Sequence, residues 1–125
     1  MGAKVVKTSK NFDGKPREIL KITSRNDAIT MKDVPNNSII PYCGFVEQEI
    51  VNENTGEVFN SILVVSEPNE DGIKKLYATR SDSFKNALYE IVNALEESGD
   101  TDSFSIQIMK LKSKNGREFI TCNLV

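Results

Sequence analysis

From residue 38 onwards, apolar-rich segments are separated by polar segments rich in turn residues, such as NENTG and EPNEDG, which is typical of β-strands joined by loops. The pattern predicts three strands and then a final pair, over residues 38–51, 57–66, 73–80, 103–112 and 117–125. We therefore expect a mainly β protein.

One segment between the third and fourth of these strands changes to a helical period. Ser81-Asp82-Ser83 offers N-cap chemistry, and Gly99 predicts that the helix ends near residue 98. The apolar residues that would share one helical face are Phe84, Ala87, Leu88, Ile91 and Leu95.

The order of these elements matches the OB-fold, a five-stranded Greek-key barrel with one helix between strands 3 and 4. Pro41 predicts an irregular point in the first barrel strand and Gly44 predicts a bend or bulge, which a small barrel needs in order to turn a corner. Segments 17–23 and 28–34 predict an additional N-terminal strand pair.

The first residues differ in composition from the rest. Residues 1–16 are rich in Lys, Ser, Asn and Gly, which predicts a flexible basic N-terminal arm. Residues 17–125 would then form a single OB-fold domain, and the absence of an apolar run near 18 residues predicts no membrane-spanning helix.

Composition argues against common enzymatic machinery. The chain has no histidine, two separated cysteines and neither a GxxxxGK[ST] nor a GxGxxG loop. We therefore expect a protein that is not an enzyme and that uses no metal or cofactor. Cys43 and Cys122 are expected to be buried free thiols.

Charge is strongly segregated although the formal net charge is only -2. Residues 1–32 contain eight basic and three acidic side chains, whereas residues 33–73 contain acidic side chains and no Lys or Arg. Basic residues return at Lys74, Lys75 and Arg80, and again around the turn of the final strand pair. Such local basic patches are the electrostatic signature of a polyanion-binding protein, and a solvated surface is the alternative.

The last hairpin combines positive charge with an aromatic ring. Asn115-Gly116 predicts a two-residue turn, in which Lys112 faces Phe119. One strand face would then be core, with Met109, Leu111, Ile120, Cys122 and Leu124. The other face would carry Phe104, Ile106, Ile108, Lys110, Lys112 and Phe119, with Lys114 and Arg117 at the tip. Basic side chains beside aromatic rings are typical of sites for single-stranded nucleic acid.

Tyr77 lies on the predicted third barrel strand, where a ring could also stack on a base. Both aromatic candidates have a structural alternative: Tyr77 could be a core or barrel-end residue, and Phe119 could pack beneath other elements. Tyr42, Phe45 and Phe59 are expected in the core.

Several segments in the same order resemble single-stranded DNA-binding proteins of Bacillus phages that replicate linear DNA by protein priming. They are VVKTSKNF (5–12), MKDVPNNSII (31–40), KLYATRS (75–81), KSKNG (112–116) and FITCNL (119–124). Tyr77 alone matches a stacking tyrosine of that family, because the family's other tyrosines align with Gln48 and with Asn54 or Thr55.

The resemblance implies a sequence-independent protein that coats displaced single strands during phage DNA replication, in the cytoplasm of an infected cell. The residues expected to bind DNA are Tyr77, Phe119, Lys74, Lys75, Arg80, Lys110, Lys112, Lys114 and Arg117. The N-terminal arm could contact a neighbouring subunit. The alternative is a small β-barrel that binds another protein, for which the acidic strands between residues 47 and 57 are the cue.

Overall fold

The computed structural model describes residues 2–125, which form a mainly β protein with a curled, open, mixed sheet and two helices. The sheet has the shape of a half-barrel. The helices are α1 (Pro16–Thr23) and α2 (Asp82–Glu97), with short 3-10 turns at Lys10–Phe12 and Met31–Asp33. The strands are β1 (Gly2–Thr8), β2 (Ile29–Thr30), β3 (Ile39–Val51), β4 (Val58–Ser66), β5 (Leu76–Thr79), β6 (Ser105–Lys112) and β7 (Glu118–Leu124).

Strand β3 is the centre of the sheet because it pairs with three other strands. The strand order is β2-β5-β4-β3-β6-β7, and β1 lies on β3. The first residues of β3 pair with β6, whereas its remaining length lies between β4 and β1. The register shifts between Tyr42 and Gly44, where β3 bends. This confirms the predicted bulge at Gly44.

The sheet is covered on both faces, so alternate residues of β4 enter two different clusters. Ile62 and Val64 pack with Phe84 and Leu88 of α2. Leu63 and Val65 pack on the opposite side, in the cluster that contains α1. A strand that is buried on both faces reads as a continuous apolar run, as SILVVS does.

The predicted N-terminal strand pair is wrong. Residues 17–23 belong to helix α1, which begins at Pro16. The first N–H groups of a helix have no partner within the helix, so the missing N–H of this proline removes no hydrogen bond. Ile19 and Ile22 are three residues apart and both pack against the sheet, whereas Leu20 is 66% exposed. Segment 28–34 contributes only the two residues of β2, which pair in parallel with β5.

The segment predicted as a flexible arm contains strand β1. Gly2–Thr8 pairs antiparallel with the second half of β3, and its register shifts between Val5 and Lys7. Phe12 follows the strand and is buried against α1. Residue 1 of the predicted arm lies outside the described residues.

Candidate nucleic-acid interface

The β6–β7 hairpin closes with a three-residue loop rather than the predicted two-residue turn. The Ser113 carbonyl accepts a hydrogen bond of 2.9 Å from the Gly116 N–H, and the Ser113 N–H donates one of 2.9 Å to the Arg117 carbonyl. Gly116 has a φ of +78°, in the left-handed region. This is a β-turn followed by a bulge at glycine, and it moves the register by one residue from the predicted one.

The shifted register changes which side chains share a face. Phe119 pairs with Leu111, while Lys110 pairs with Ile120 and Lys112 with Glu118. Phe119 therefore lies on the opposite face from Lys110 and Lys112, and the predicted arrangement of these three side chains is wrong.

The core assignment of the hairpin is wrong for strand β6, for the same reason, whereas Ile120 and Cys122 of β7 pack in the core as predicted. Ile106 and Ile108 are fully buried, whereas Leu111 is 39% exposed. Cys122 is buried as predicted, but it pairs with Ile108 rather than with Met109.

Strand β2 pairs with β5 at one edge of the sheet, and neither strand pairs with β7 within the described part of the chain, so the half-barrel has an open seam between the β2–β5 edge and β7. Side chains hold the seam together. Ser81 Oγ donates a 2.6 Å hydrogen bond to the Ile120 carbonyl, and Lys110 Nζ donates one of 2.6 Å to the Lys32 carbonyl. The Lys110 N–H donates to Asn36 Oδ1 at 2.9 Å.

A groove of about 440 Å³ runs along this seam. Phe59 and Ile120 give it apolar walls, while Lys32 and Arg80 bring positive charge to it. We call it the seam groove. It combines the cations and the aromatic ring that a single nucleic-acid strand requires.

Arg80 lies over the Phe59 ring with its guanidinium carbon 3.7 Å from the ring centroid. The same guanidinium is 3.1 Å from Glu57, but both side chains are more than half exposed. An exposed ion pair of this kind holds its partners weakly, so Arg80 can exchange Glu57 for a phosphate.

The hairpin tip continues the positive charge beyond the groove. Lys112, Lys114 and Arg117 are exposed and form no ion pair with any residue between 2 and 125. Lys110 is more restrained because its ammonium group already binds the Lys32 carbonyl.

Lys74 and Lys75 lie apart from this region, before the start of β5. Lys74 lines a separate cleft of about 620 Å³ together with Lys15 and Arg17. Lys74 Nζ is 3.8 Å from Cys43 Sγ, a thiol that is half buried rather than buried. The predicted basic residues therefore lie in two separate places, one on the hairpin side of the molecule and one at this cleft.

Tyr77 is half buried on β5, between Val64 and Ile29, and packs against the core beside α2. Burial raises the pKa of its hydroxyl. Its ring does not line the seam groove.

The sequence prediction missed Phe59 and Lys32 as candidate site residues. Phe59 was expected in the core, but it is half buried and lines the groove. No local pattern marks either residue, because they meet only where β4 and the Met31–Asp33 turn reach the seam.

A polar cluster lies between the sheet and α2. Glu47 accepts hydrogen bonds from Asn60 Nδ2 at 3.0 Å and from the Tyr89 hydroxyl. Lys7 Nζ lies 4.0 Å from the centre of the Tyr89 ring. Glu47 thus has hydrogen-bond partners in both Asn60 and Tyr89, which suits a structural role for the cluster.

Comparison of the chain with protein-family models, with curated proteins and with solved structures gave no match. The structure also has no helix, within residues 2–125, long and apolar enough to cross a bilayer.

Proposed function

We propose that this protein binds single-stranded DNA without sequence preference and that its half-barrel is an OB-fold. The order β3-β4-β5-α2-β6-β7 supports the fold proposal, because it is three strands, a helix and two strands. The bent β3, which pairs with both β4 and β6, is the feature that lets such a sheet curl.

The observation that carries the proposal is the seam groove beside the hairpin tip. Arg80, Lys32 and the Phe59 ring meet in one groove, and the exposed cations of the hairpin lie beyond Ile120 at its edge. Phosphates would be neutralised by Arg80, Lys32, Lys112, Lys114 and Arg117. When Arg80 turns from the Phe59 ring to a phosphate, a base would take its place over the ring. Such stacking contributes about 1–3 kcal/mol for each base in comparable proteins.

The sequence-predicted residues that do not line the groove would contribute less directly to DNA binding. Lys110 orders the seam through Lys32, and its side chain borders the path of the strand. Phe119 would reach a base only where the strand crosses the outer face of the hairpin. Tyr77 would support the groove from the core side, and Lys74 and Lys75 would contact DNA extending past the start of β5.

The biological role follows from the sequence resemblance described above. A protein of this kind would coat and protect the displaced strands of a replicating phage genome, in the cytoplasm of the infected cell. It would need neither a metal ion nor a cofactor, because binding relies on charge and stacking alone.

The proposal is tested by titrating dye-labelled oligo(dT), and then duplex DNA of equal length, while following fluorescence anisotropy at about 50 and 200 mM salt. We expect tight binding of the single strand, which weakens as salt rises because counterions are released from the phosphates. Absence of binding to oligo(dT) would refute the proposal. Equal affinity for duplex would mean that the surface senses only charge.

A further inference from the structure

A second basic site lies before the start of β5, at the opposite end of this strand from Arg80. It is the cleft of about 620 Å³ that Lys74 lines together with Lys15 and Arg17, and we call it the α1 cleft. These three residues are exposed, and none of them forms an ion pair with another described residue. Three cations that line one concave surface without an acidic partner favour an anion as the ligand.

Hydrogen bonds hold the walls of the α1 cleft in place, although its cations are unpaired. The Arg25 guanidinium donates a 2.7 Å hydrogen bond to the Lys74 carbonyl, which ties the start of β5 to the segment after α1. Asn11 Nδ2 donates one of 3.0 Å to the Cys43 carbonyl, which ties the first 3-10 turn to β3. The walls of the cleft are therefore formed before a ligand binds.

The acidic side chains near the α1 cleft already have basic partners. Among the described lining residues, Glu18 is the one carboxylate, and its Oε1 is 3.6 Å from Lys21 Nζ. Asp27 accepts two hydrogen bonds, of 2.8 and 2.7 Å, from the Arg25 guanidinium. Each pairing reduces the repulsion that the carboxylate exerts on an anion in the cleft.

The α1 cleft and the seam groove lie on the same face of the sheet. Leu63 and Val65 of β4 pack in the cluster that contains α1, and Phe12 of that cluster lines the α1 cleft. Side chains alternate along a strand, so Phe59, which lines the seam groove, is on the same face as Leu63. Ala78 of β5 packs in the cluster and also lines the seam groove. One ligand can therefore contact both sites without crossing the sheet.

The distance between the two sites suits a single nucleic-acid strand. Lys74 and Arg80 flank β5, and the six steps between them correspond to about 20 Å at about 3.3 Å per residue. At about 3.4 Å for each stacked nucleotide, about 6 nucleotides cover this span. That length is within the range of about 4 to 16 nucleotides that one OB-fold binds. Strand β2 lies beside β5, with its exposed and uncharged residues Ile29 and Thr30 between the two sites.

We propose that the α1 cleft binds phosphate groups, and that a single DNA strand in the seam groove extends along the β2–β5 edge to reach it. Lys15, Arg17 and Lys74 neutralise phosphates at one end of this strand. Arg80 and Lys32 do so at the other. The inference rests on the proposed DNA-binding function, to which it adds a second phosphate site and a length of strand that fills both sites.

The first experiment compares oligo(dT) of about 4 nucleotides, too short to span both sites, with oligo(dT) of about 16. Fluorescence anisotropy measures the binding of each by the wild type and by Lys15→Gln/Arg17→Gln. The double variant should bind the long strand at least fivefold more weakly, and its slope of log K against log salt should fall by about 1.4, or about 0.7 for each lost phosphate contact. Its affinity for the short strand, which the seam groove holds, should be unchanged.

The charge-matched control is Lys4→Gln/Lys10→Gln, which removes two exposed cations that do not line the α1 cleft. It should bind both lengths of oligo(dT) as the wild type does. A loss of affinity equal to that of Lys15→Gln/Arg17→Gln would show that only the total charge matters, and would overturn the inference.

The second experiment uses Cys43 as a reporter, because its half-buried thiol lines the α1 cleft, whereas Cys122 is only 3% exposed. Alkylation of Cys43 by iodoacetamide is followed by mass spectrometry. The long strand should slow this reaction at least fivefold in the wild type and much less in Lys15→Gln/Arg17→Gln. The short strand should leave the rate unchanged.

The outcomes separate this inference from the function on which it rests. Failure of the wild type to bind oligo(dT) of either length would refute the DNA-binding function itself. Equal binding of the long strand by the wild type and Lys15→Gln/Arg17→Gln, with Cys43 unprotected, would overturn the inference alone. Weaker binding by the variant without protection of Cys43 would also overturn it, because the strand would then lie outside the cleft. Equal protection by both lengths would show that no spanning strand is needed.

Discussion

The Ser81 hydroxyl joins the start of helix α2 to strand β7, because it donates a 2.6 Å hydrogen bond to the backbone carbonyl of Ile120. The same oxygen accepts a hydrogen bond of 3.2 Å from the Phe84 N–H and so caps the helix. One small side chain therefore fixes both sides of the open seam, and the seam groove lies directly beside it.

Replacing Ser81 with alanine should lower the free energy of unfolding by about 1–2 kcal/mol, because the helix loses its cap and the Ile120 carbonyl loses its donor. Urea denaturation followed by circular dichroism measures this. Ser83→Ala is the matched control, since Ser83 is an exposed residue in the first turn of the same helix. Equal losses in the two variants would contradict the role of Ser81.

Gly44→Ala should destabilise the protein by about 1–3 kcal/mol, because overpacking forces neighbours out of position. A Cβ at Gly44 would lie 2.6 Å from Phe12 Cε2 and 2.6 Å from Ser9 Oγ. Phe12→Leu in the Gly44→Ala background should recover part of the loss, and a double-mutant cycle measures this coupling. Strict additivity of the two changes would show that Phe12 and Gly44 do not compete for space.

The double variant Lys114→Gln/Arg117→Gln should weaken binding of oligo(dT) and reduce the slope of log K against log salt by about 1.4, or about 0.7 for each phosphate that is no longer neutralised. Anisotropy titrations at several salt concentrations give the slope. Lys21→Gln is the control, since Lys21 is also exposed but belongs to α1. An unchanged slope in the double variant would remove the hairpin tip from the DNA-binding surface.

Phe59→Leu should weaken binding to oligo(dT) by about 1–3 kcal/mol, the contribution of one stacked base, with little effect on the salt slope. Phe119→Leu should have a much smaller effect, because that ring lies on the hairpin face opposite Lys110 and Lys112. The same titrations measure both variants. The reverse order would place the strand on the outer face of the hairpin and not in the seam groove.

Stability should fall at alkaline pH partly because of Cys122. Burial raises the pKa of this thiol to about 12 in the folded protein, whereas an unfolded cysteine has a pKa of about 8.5. Between these values the unfolded state loses the proton first, so stability decreases as pH rises, by about 2 kcal/mol from this residue at pH 10.

Denaturation curves at pH 8 and pH 10 test this for the wild type and Cys122→Val. The variant should lose less stability between the two values, because it has no thiol to ionise. Parallel losses in both proteins would show that other groups, such as the buried tyrosines, account for the whole effect.

The sequence predicted the elements whose signal is local. Helix α2 has a complete apolar face and a serine N-cap, and its observed bounds fall within a residue of those expected. The bend near Gly44 was also predictable, because glycine is the residue that permits close approach of another segment. The order of the last five strands and α2 follows from such signals.

Other parts of the structure could not be predicted because the same local sequence fits more than one conformation. REILKIT fits both an alternating strand and a short helix, and packing of Ile19 and Ile22 against the sheet decides for the helix. Asn115-Gly116 occurs in two-residue turns and in longer loops, and one extra loop residue moved Phe119 to the other face.

The seam groove could not be predicted from local sequence patterns, because its residues come from distant parts of the chain. Phe59 and Ile120 are distant in sequence and line one groove only because the curled sheet brings its β2–β5 edge close to β7. Tyr42 was correctly placed in the core, where its ring packs in the cluster beneath α2.

The position of β3 among three partners has a consequence for how fast the protein folds. Its pairings join Lys4 to Glu49 and Ile39 to Gln107, so the chain must close long loops before the central strand gains its neighbours. Domains dominated by such distant contacts reach the native state in milliseconds to seconds rather than microseconds. A newly made chain would therefore expose the apolar run of β4 at least until helix α2, which packs on it, has left the ribosome.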